Sequence, residues 1–312
     1  MSTKKKILMS GSTGLVGSAL AKRLKELGYV VLPLTTSQFE GGIMWNPIRS
    51  AFSAPIREQL HAVIHLGGAP LKPMWNERMK FDFLESRVNG AKLLAQLILH
   101  NPPPETFICT TGVGYYGLPP SDFAGEGFSE TSNPFPFQDD ANKPFLHEVA
   151  AQVEAACDPV REITRVVHPR LAPVLDLNGG ALPKLMLPFK VGLGGPLGPG
   201  NQNFPWVSLR DVVDAYVFIL ERKDITGPVN VVSPHASTAK EFATALGEAM
   251  HRPCAVPVPA VVLRTVFGKE AAESLVLSSR RILPKVLMDK GFQFRDEDIR
   301  PFLHQLLLPK SP

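Results

Sequence analysis

The sequence predicts an α/β protein with a doubly wound parallel sheet and a smaller C-terminal α/β cap. Three observations predict this class. Short apolar runs alternate with amphipathic segments, a glycine-rich turn joins the first such pair, and the second half is rich in Gly and Pro. Strands that alternate with helices indicate parallel strands joined by helical crossovers. The chain has 312 residues, 44% of them hydrophobic, which is enough for one large domain and a smaller one.

The first unit is a strand, a turn, a helix and a second strand. The apolar run 7–9 predicts a strand that enters the turn 10–14. Apolar residues then recur at helical spacing as far as Leu27, with Lys and Arg on the other face, and Gly28 is placed to end the helix. The apolar residues 29–32 predict the second strand, so the unit has the context of a dinucleotide-binding βαβ motif.

The alternation continues along the chain. Further strands are predicted at 62–66, 107–109, 164–167 and 229–232, and further helices at 76–100, 145–156 and 210–220. Another helix is expected to start near Thr238, where Glu241 completes a capping box.

Three glycines at three-residue intervals carry the strongest functional signal. Gly11 allows a tight turn, Gly14 lets backbone N–H groups approach a pyrophosphate, and Gly17 lets the helix pack closely on the sheet. The helix N-terminus adds free N–H groups and the positive end of a dipole. The turn therefore predicts Rossmann-type dinucleotide binding. Its predicted contacts are Gly11, Ser12, Thr13, Gly14, Leu15 and Val16.

The end of the second strand distinguishes two dinucleotides. An NAD enzyme normally places Asp or Glu there to accept hydrogen bonds from the ribose 2′-hydroxyl. This chain has Thr35, Thr36 and Ser37, with no carboxylate before Glu40. Nothing repels a 2′-phosphate, and three hydroxyls can donate to it. The sequence favours NADP(H), with NAD(H) as the alternative.

The predicted Rossmann domain covers residues 1–170 and is completed by about 209–234. A substrate-binding cap is predicted from 171–208 and 235–312. Within it, the Gly- and Pro-rich stretch 190–206 is expected to form a binding loop over the cleft.

Composition excludes several functional classes. The formal net charge of +4 and the lack of a basic stripe argue against nucleic acid. No window holds the ~18 uninterrupted apolar residues of a membrane span, and the N-terminus does not resemble a secretory signal. Cys109, Cys157 and Cys254 are far apart, which argues against a disulfide framework or a zinc site. We expect a cytoplasmic protein with no metal, no membrane partner and a small-molecule substrate.

Further motifs extend over nearly the whole chain. They are the Gly-x-x-Gly-x-x-Gly spacing and the segments 65–70, 86–87, 110–117, 188–196, 204–207, 230–234 and 283–285. With them the chain resembles an atypical branch of the extended short-chain dehydrogenases/reductases. Members of this branch are described as epimerase family proteins, NAD(P)-dependent epimerase/dehydratase-like proteins or cell-division inhibitors. The chain departs from the branch at Thr36, where Arg is usual, at Ala69, where Glu is frequent, and at Ser208, where His is common.

The resemblance implies that Arg87 faces the cofactor and that the protein is a homodimer, formed through the two long helices after the third and fourth main strands. Thr110 lies where sheet loops usually meet the nicotinamide. Arg170 follows a strand and can anchor an anion or serve the structure. The predicted cofactor contacts beyond the first turn are Thr35, Thr36, Leu66, Gly67, Gly68, Arg87, Thr110 and Arg170.

The usual catalytic pair of short-chain reductases is missing. These enzymes use a Tyr and a Lys four residues later as the acid–base pair. No Tyr-x-x-x-Lys occurs here, and Phe145 and Val149 stand at the expected helix. One interpretation assigns proton transfer to Thr111 with Tyr115 or Tyr116. The predicted function is then an NADP(H)-binding oxidoreductase or epimerase-like protein that acts on a carbonyl, alcohol or sugar-nucleotide-like substrate. The alternative is an NADP(H)-binding sensor or interaction protein without turnover.

Overall fold

The computed structural model describes residues 4–37, 41–56, 59–72, 75–137 and 142–308. In chain order the strands are β1 Lys6–Ser10, β2 Val30–Thr35, β3 Ile43–Asn46, β4 Ala51–Phe52, β5 Leu60–His65, β6 Thr106–Cys109, β7 Thr111–Gly112, β8 Arg165–Leu171, β9 Val174–Asp176, β10 Gly179–Gly180, β11 Asn203–Phe204, β12 Val207–Ser208, β13 Gly227–Val231 and β14 Ser237–Thr238. The helices are α1 Leu15–Glu26, α2 Glu77–Leu99, α3 Phe145–Ala155, α4 Leu182–Lys190, α5 Leu209–Glu221, α6 Ala239–Ala249, α7 Ala260–Phe267, α8 Lys269–Ala272, α9 Lys285–Asp289 and α10 Ile299–Leu307. None of the helices in these ranges has both the length and the apolar character that a bilayer crossing requires.

Nine of the described strands form the main sheet. Their order is β13–β8–β6–β5–β1–β2–β3–β4, with β7 beside β8. Neighbours from β13 to β3 are parallel, and the β3–β4 hairpin is antiparallel. Strand β1 pairs with β2 on one side and β5 on the other. The order of the strands therefore reverses at β1, and ligands of open α/β sheets bind outside the carboxyl ends of the strands at such a point.

Strand β1 shows why both faces of the sheet need helices. Ile7 and Met9 point to one face and Leu8 to the other, because side chains alternate along a strand. All three are 0% exposed. Helices α1 and α5 share the core of Ile7 and Met9, while α2 and α3 share that of Leu8. This arrangement confirms the predicted doubly wound fold class.

The predicted helices 76–100, 145–156 and 210–220 are confirmed to within about a residue at each end, as is the capping box of Thr238 and Glu241. Their apolar periodicity is long enough to be visible in the sequence.

Two elements lie outside the predicted pattern. The β3–β4 hairpin has strands of four and two residues, too short for a periodic signal, and is supported by Trp45 stacked on Phe52 with ring centroids 6.4 Å apart. Helix α4 lies in the Gly- and Pro-rich stretch. Pro183 stands in its first turn, where the missing N–H removes no helical hydrogen bond.

The cap has a core of its own, in which helices α6 and α10 pack together. Trp206 is 1% exposed and stacks on Phe302 with ring centroids 5.0 Å apart. The buried Asp211 at the start of α5 accepts hydrogen bonds from the backbone N–H groups of Arg295 and Asp296, each at 2.9 Å. Charge-assisted hydrogen bonds of this kind tie the C-terminal segment to the main domain.

Gly17→Ala should destabilise the protein by about 1–3 kcal/mol, the usual range for overpacking. A Cβ at Gly17 would lie 2.0 Å from the carbonyl oxygen of Gly11, and neither backbone can move without opening the turn. At Gly14 the corresponding distance is 3.4 Å, so Gly14→Ala should change stability by less than about 1 kcal/mol. Urea unfolding of both variants measures the difference, and equal stabilities would contradict it.

Candidate functional site

The glycine turn forms the floor of the site. Gly11 has φ 70°, and a Cβ there would lie 2.7 Å from the carbonyl carbon of Leu66, so the turn closes tightly against the loop after β5. The backbone N–H of Gly14 donates to the carbonyl of Gly11 over 3.0 Å and leads into α1. The free N–H groups of the first turn of α1 therefore point out of the carboxyl end of β1.

Two cavities meet at this turn. They measure about 530 and 640 Å³, and both are lined by Gly11, Gly14, Leu66, Gly67 and Pro70. They extend in opposite directions along the carboxyl ends of the strands, one toward α3 and the other toward β2 and β3. The combined cleft lies at the position where the strand order reverses.

The first cavity is mainly apolar. Its wall on α3 consists of Leu146, Val149, Ala150 and Val153. The lining side chains that carry polar atoms are Thr110, Thr111 and Arg87. The described lining of this cavity thus holds no Asp, Glu, His, Lys or Tyr.

Hydroxyl groups line part of the second cavity. Thr13, Thr35, Thr36, Ser37 and Ser86 contribute them, and Ile48, which is 77% exposed, also lines this cavity. The Thr35 hydroxyl donates to the carbonyl of Ser37 over 2.8 Å, which orders the end of β2. No carboxylate lines this cavity within the described residues, although Glu40 itself lies outside them.

Beneath the cleft a buried hydroxyl joins β1 to β5. The hydroxyl oxygen of Ser10 accepts from the backbone N–H of Gly67 over 3.1 Å and lies 2.6 Å from Nδ1 of His65. Burial lowers the pKa of His65 to about 4, so the ring is neutral at pH 7. Nδ1 therefore accepts the Ser10 proton, and Nε2 donates to the carbonyl of Arg87 over 3.4 Å.

Arg87 brings a positive charge to the first cavity. Its Nη1 donates to the carbonyls of Ala69 and Phe83, at 2.9 and 3.2 Å, and its guanidinium lies 3.5 Å from the centroid of the Phe83 ring. Burial lowers its pKa to about 10, which leaves it charged at pH 7. Within the described ranges no carboxylate forms an ion pair with it. A cation of this kind attracts an anion.

Behind the cavity wall, Thr111 is linked to a buried ion pair. The Thr111 hydroxyl donates to Oε1 of Glu154 over 3.1 Å. Two guanidinium nitrogens of Arg170 contact the two oxygens of the same carboxylate, each at 2.8 Å. The pair is held almost free of solvent, with Arg170 side-chain exposure of 3%. It fixes the rotamer of Glu154 and, through it, the Thr111 hydroxyl.

The structure places Tyr115 and Tyr116 outside the linings of both cavities. The Tyr116 hydroxyl donates to Oδ1 of Asn230 over 2.8 Å and accepts from Arg170 over 3.0 Å. Burial raises the pKa of Tyr116 to about 12. The Tyr115 ring lies against the Arg170 guanidinium at 3.4 Å. A catalytic role for either tyrosine stays a prediction. Thr111, which is linked to these tyrosines through Glu154 and Arg170, does line the first cavity.

The other predicted cofactor contacts fall into two groups, those that line the cleft and those that do not. The predicted residues that line the cleft are Gly11, Thr13, Gly14, Leu15, Val16, Thr35, Thr36, Leu66, Gly67, Gly68, Arg87, Thr110 and Thr111. Ser12 and Arg170 do not line it. The Ser12 hydroxyl is buried and has no hydrogen-bond partner among the described residues. Gly180 lines the first cavity. The stretch 190–206, which the sequence predicts to be a binding loop over the cleft, contributes no residue to either lining. It instead forms β-bridges to residues 254–258.

The fold brings together three residues that are distant in sequence. Ligand atoms of Cys109, Cys157 and His168 lie within 4.8 Å of one another and are buried. Both ring nitrogens of His168 are engaged, Nδ1 with the Cys109 carbonyl at 3.2 Å and Nε2 with Arg161 at 3.1 Å. Hydrogen bonding and packing therefore account for the cluster.

Sequence reasoning missed Ser10, Glu154 and Asn230. Ser10 ends the first strand directly before the glycine turn, and this position could have indicated it. Asn230 begins the motif 230–234, which carried the family resemblance but indicated no role for this residue. Glu154 gave no local signal, because its partners are brought close by the tertiary fold alone.

Residues 7–233 match the family described as "NAD dependent epimerase/dehydratase family", and residues 258–306 match a domain of unknown function, DUF1731. The chain is 34% identical over 307 residues to epimerase family protein SDR39U1 of Mus musculus, which covers 97% of this chain and 99% of the relative. It is 32% identical over 297 residues to epimerase family protein Mb2239 of Mycobacterium bovis, with 94% of each chain covered.

A solved structure is similar over the same length. The human epimerase family protein SDR39U1 (isoform2), whose crystal structure is described as "with NADPH", has a TM-score of 0.85 and 30% identity to this chain. The similarity covers 97% of this chain and 99% of that one. These likenesses confirm the resemblance that the motifs predict.

Acid should destabilise the protein through His65. The folded-state pKa of about 4 lies below the ordinary value of 6.5, so the unfolded chain binds the proton more readily. The stabilisation is complete above about pH 6.5 and decreases as the pH falls toward 4, by up to about 1.4 kcal/mol per pH unit. Urea unfolding of wild type, His65→Gln and the exposed-site control His100→Gln at several pH values measures this slope. The slope should shrink in His65→Gln alone; an unchanged slope there would assign the acid sensitivity elsewhere.

Proposed function

Because the chain belongs to the NAD dependent epimerase/dehydratase family, we propose that it binds NADP(H) in the cleft and uses it for hydride transfer to or from a substrate carbon. The observation that carries the proposal is the meeting of two cavities at the glycine turn, at the carboxyl ends of β1 and β5. The human relative's structure with NADPH supports the same cofactor.

The residues present suit each part of a dinucleotide. The free backbone N–H groups of the first turn of α1 would hold the pyrophosphate. Arg87 would add the positive charge that a phosphate needs in this half-buried position. The apolar wall of Val149 and Val153 would cover one side of the nicotinamide ring and exclude water from it.

The end of β2 supports the phosphorylated cofactor. Thr36 and Ser37 are exposed at the second cavity, where their hydroxyls can donate to a 2′-phosphate. A 2′-phosphate would meet no carboxylate among the described lining residues. Hydroxyl donors without a competing negative charge favour NADP(H) over NAD(H).

Calorimetric titration of the full chain with NADPH and NADH tests the cofactor assignment. We expect NADPH to bind more tightly. Thr36→Asp should weaken NADPH binding by about tenfold or more, because a like charge then faces the 2′-phosphate, while NADH binding is kept or improved. Thr36→Asn is the uncharged control of the same shape and should retain the NADPH preference. Failure of the wild type to bind either dinucleotide would overturn the proposal.

The chemistry that the chain itself can supply centres on Thr111. Bound NADP(H) would supply or accept the hydride at the nicotinamide C4 atom. The Thr111 hydroxyl oxygen can accept a hydrogen bond from a substrate alcohol, while its own proton is donated to Glu154. This arrangement provides a path for the substrate proton to the Glu154 carboxylate in oxidation, and the reverse path in reduction. Arg170 holds the carboxylate in place.

Thr111→Val should lower kcat by about a hundredfold or more with an unchanged dissociation constant for NADPH, because it removes the proton path and leaves the glycine turn intact. Tyr116→Phe, assayed in parallel, tests the tyrosine interpretation. We expect a smaller loss there, since the Tyr116 hydroxyl lies outside the cavity. Turnover that collapses in Tyr116→Phe and survives in Thr111→Val would contradict the role of Thr111.

A second candidate function is NADP(H) binding without turnover, as in a sensor. One observation favours it: apart from Arg87, the described lining of the first cavity lacks a titratable side chain. Stopped-flow absorbance of bound NADPH with a panel of aldehydes and ketones separates the two candidates. Oxidation of NADPH by any member of the panel supports hydride transfer, whereas tight binding with no oxidation across the panel supports the sensor.

A further inference from the structure

A second buried cation lies in the cap. Arg280 is 7% exposed, and one of its terminal nitrogens donates to the carbonyl of Ser274 and, over 2.7 Å, to the hydroxyl of Ser278. Its Nε is buried and has no hydrogen-bond partner within the protein. Among the residues that the structure describes, no carboxylate forms an ion pair with Arg280. A buried guanidinium without a counter-charge is costly, and arginine does not escape the cost by losing its proton.

A second unpaired donor lines the same cavity. The indole Nε1 of Trp206 is buried without a partner, and Trp206 and Arg280 both line a small cavity in the cap. The cavity has about 10 Å³ of free space, the lower limit for one water-sized particle. No Asp or Glu is among its described lining residues. Two residues that each carry a buried, unpartnered N–H, one of them with a full positive charge, therefore line a space for one small occupant.

This cavity is separate from the dinucleotide cleft, because the two share no lining residue. A neighbouring cavity, which Arg281 also lines, shares Asn203, His235 and Ala236 with it. The His235 ring, half exposed, pairs with Asp298 over 2.8 Å and is directed to that carboxylate. An occupant of the small cavity would therefore belong to the cap and act independently of the cofactor.

We propose that the cavity between Arg280 and Trp206 binds a single monatomic anion, chloride under ordinary conditions, which stabilises the cap. Size excludes phosphate, sulfate and carboxylate groups. Charge distinguishes chloride from water: a water molecule would accept from the two N–H groups but leave the guanidinium uncompensated, whereas chloride accepts from both and neutralises it. The anion would bridge the segment before β12 to residue 280, which follows the π-turn Glu273–Leu277.

Thermal unfolding of the full chain tests the site. Chloride is titrated against gluconate at constant ionic strength, and the melting temperature is followed in wild type, Arg280→Met and Arg281→Met. Arg281 is exposed and adjacent in sequence, so its variant is a control for loss of the same charge. We expect a saturable rise of about 2–4 °C in wild type and in Arg281→Met, and no saturable rise in Arg280→Met. An equal response of all three proteins would overturn the proposal.

A second variant and a direct observation cover the case in which Arg280→Met does not fold. Trp206→Phe removes the indole N–H while keeping an aromatic ring, and its saturable chloride response should weaken. Crystals grown in bromide should show one anomalous peak within hydrogen-bond distance of Arg280 Nε and Trp206 Nε1. A cavity without such a peak, together with an unchanged chloride response of Trp206→Phe, would assign the space to water and overturn the proposal.

Discussion

The ion pair of Arg170 with Glu154 is the constraint on which much of this structure depends. It joins strand β8 to helix α3, and the Arg170 guanidinium also touches Tyr115 and Tyr116. Removing one partner of a buried pair leaves the other charge uncompensated, which usually destabilises a protein far more than loss of a surface pair. Through Tyr116 the network continues to Asn230 on β13, whose side chain donates to the Leu283 carbonyl over 2.9 Å. One charge pair thus couples the main sheet to the C-terminal segment.

The same pair determines what the cleft can do. Glu154 is directed to Arg170 and to Thr111, so the carboxylate reaches the cavity through one hydroxyl. The remaining α3 wall is aliphatic, and this suits the packing of an apolar ring rather than acid–base chemistry by α3 itself. Arg87 lines the same cavity, and the ring of the neutral His65 contacts its backbone carbonyl. A positive charge that can attract an anion and a hydroxyl available for chemistry therefore line one cavity.

The sequence was sufficient for those features that arise from neighbouring residues. The glycine turn, the main helices and the position of Thr111 after a strand depend on local spacing, and the structure has them where they were predicted. The sequence was insufficient to predict whether a side chain points into the cleft or into the core. The 3₁₀ turn Val113–Tyr116 directs the Tyr116 ring into the core, and its partner Asn230 is 114 residues away. Nor could spacing show that Cys109 and Cys157 adjoin, because strand order decides it.

The two edge strands of the main sheet, β4 and β13, affect whether another copy of the protein can add a strand to it. Strand β4, at one margin, has two residues and offers a short backbone to a neighbour. At the other margin, Pro228 lacks an N–H, and the N–H of Asn230 donates to Glu130 over 3.0 Å. Intermolecular strand addition needs a row of unpaired backbone groups, and within the described part of the chain neither margin of the main sheet supplies a long one. Among the described residues, addition of a strand from another copy to the margins of the main sheet is therefore disfavoured.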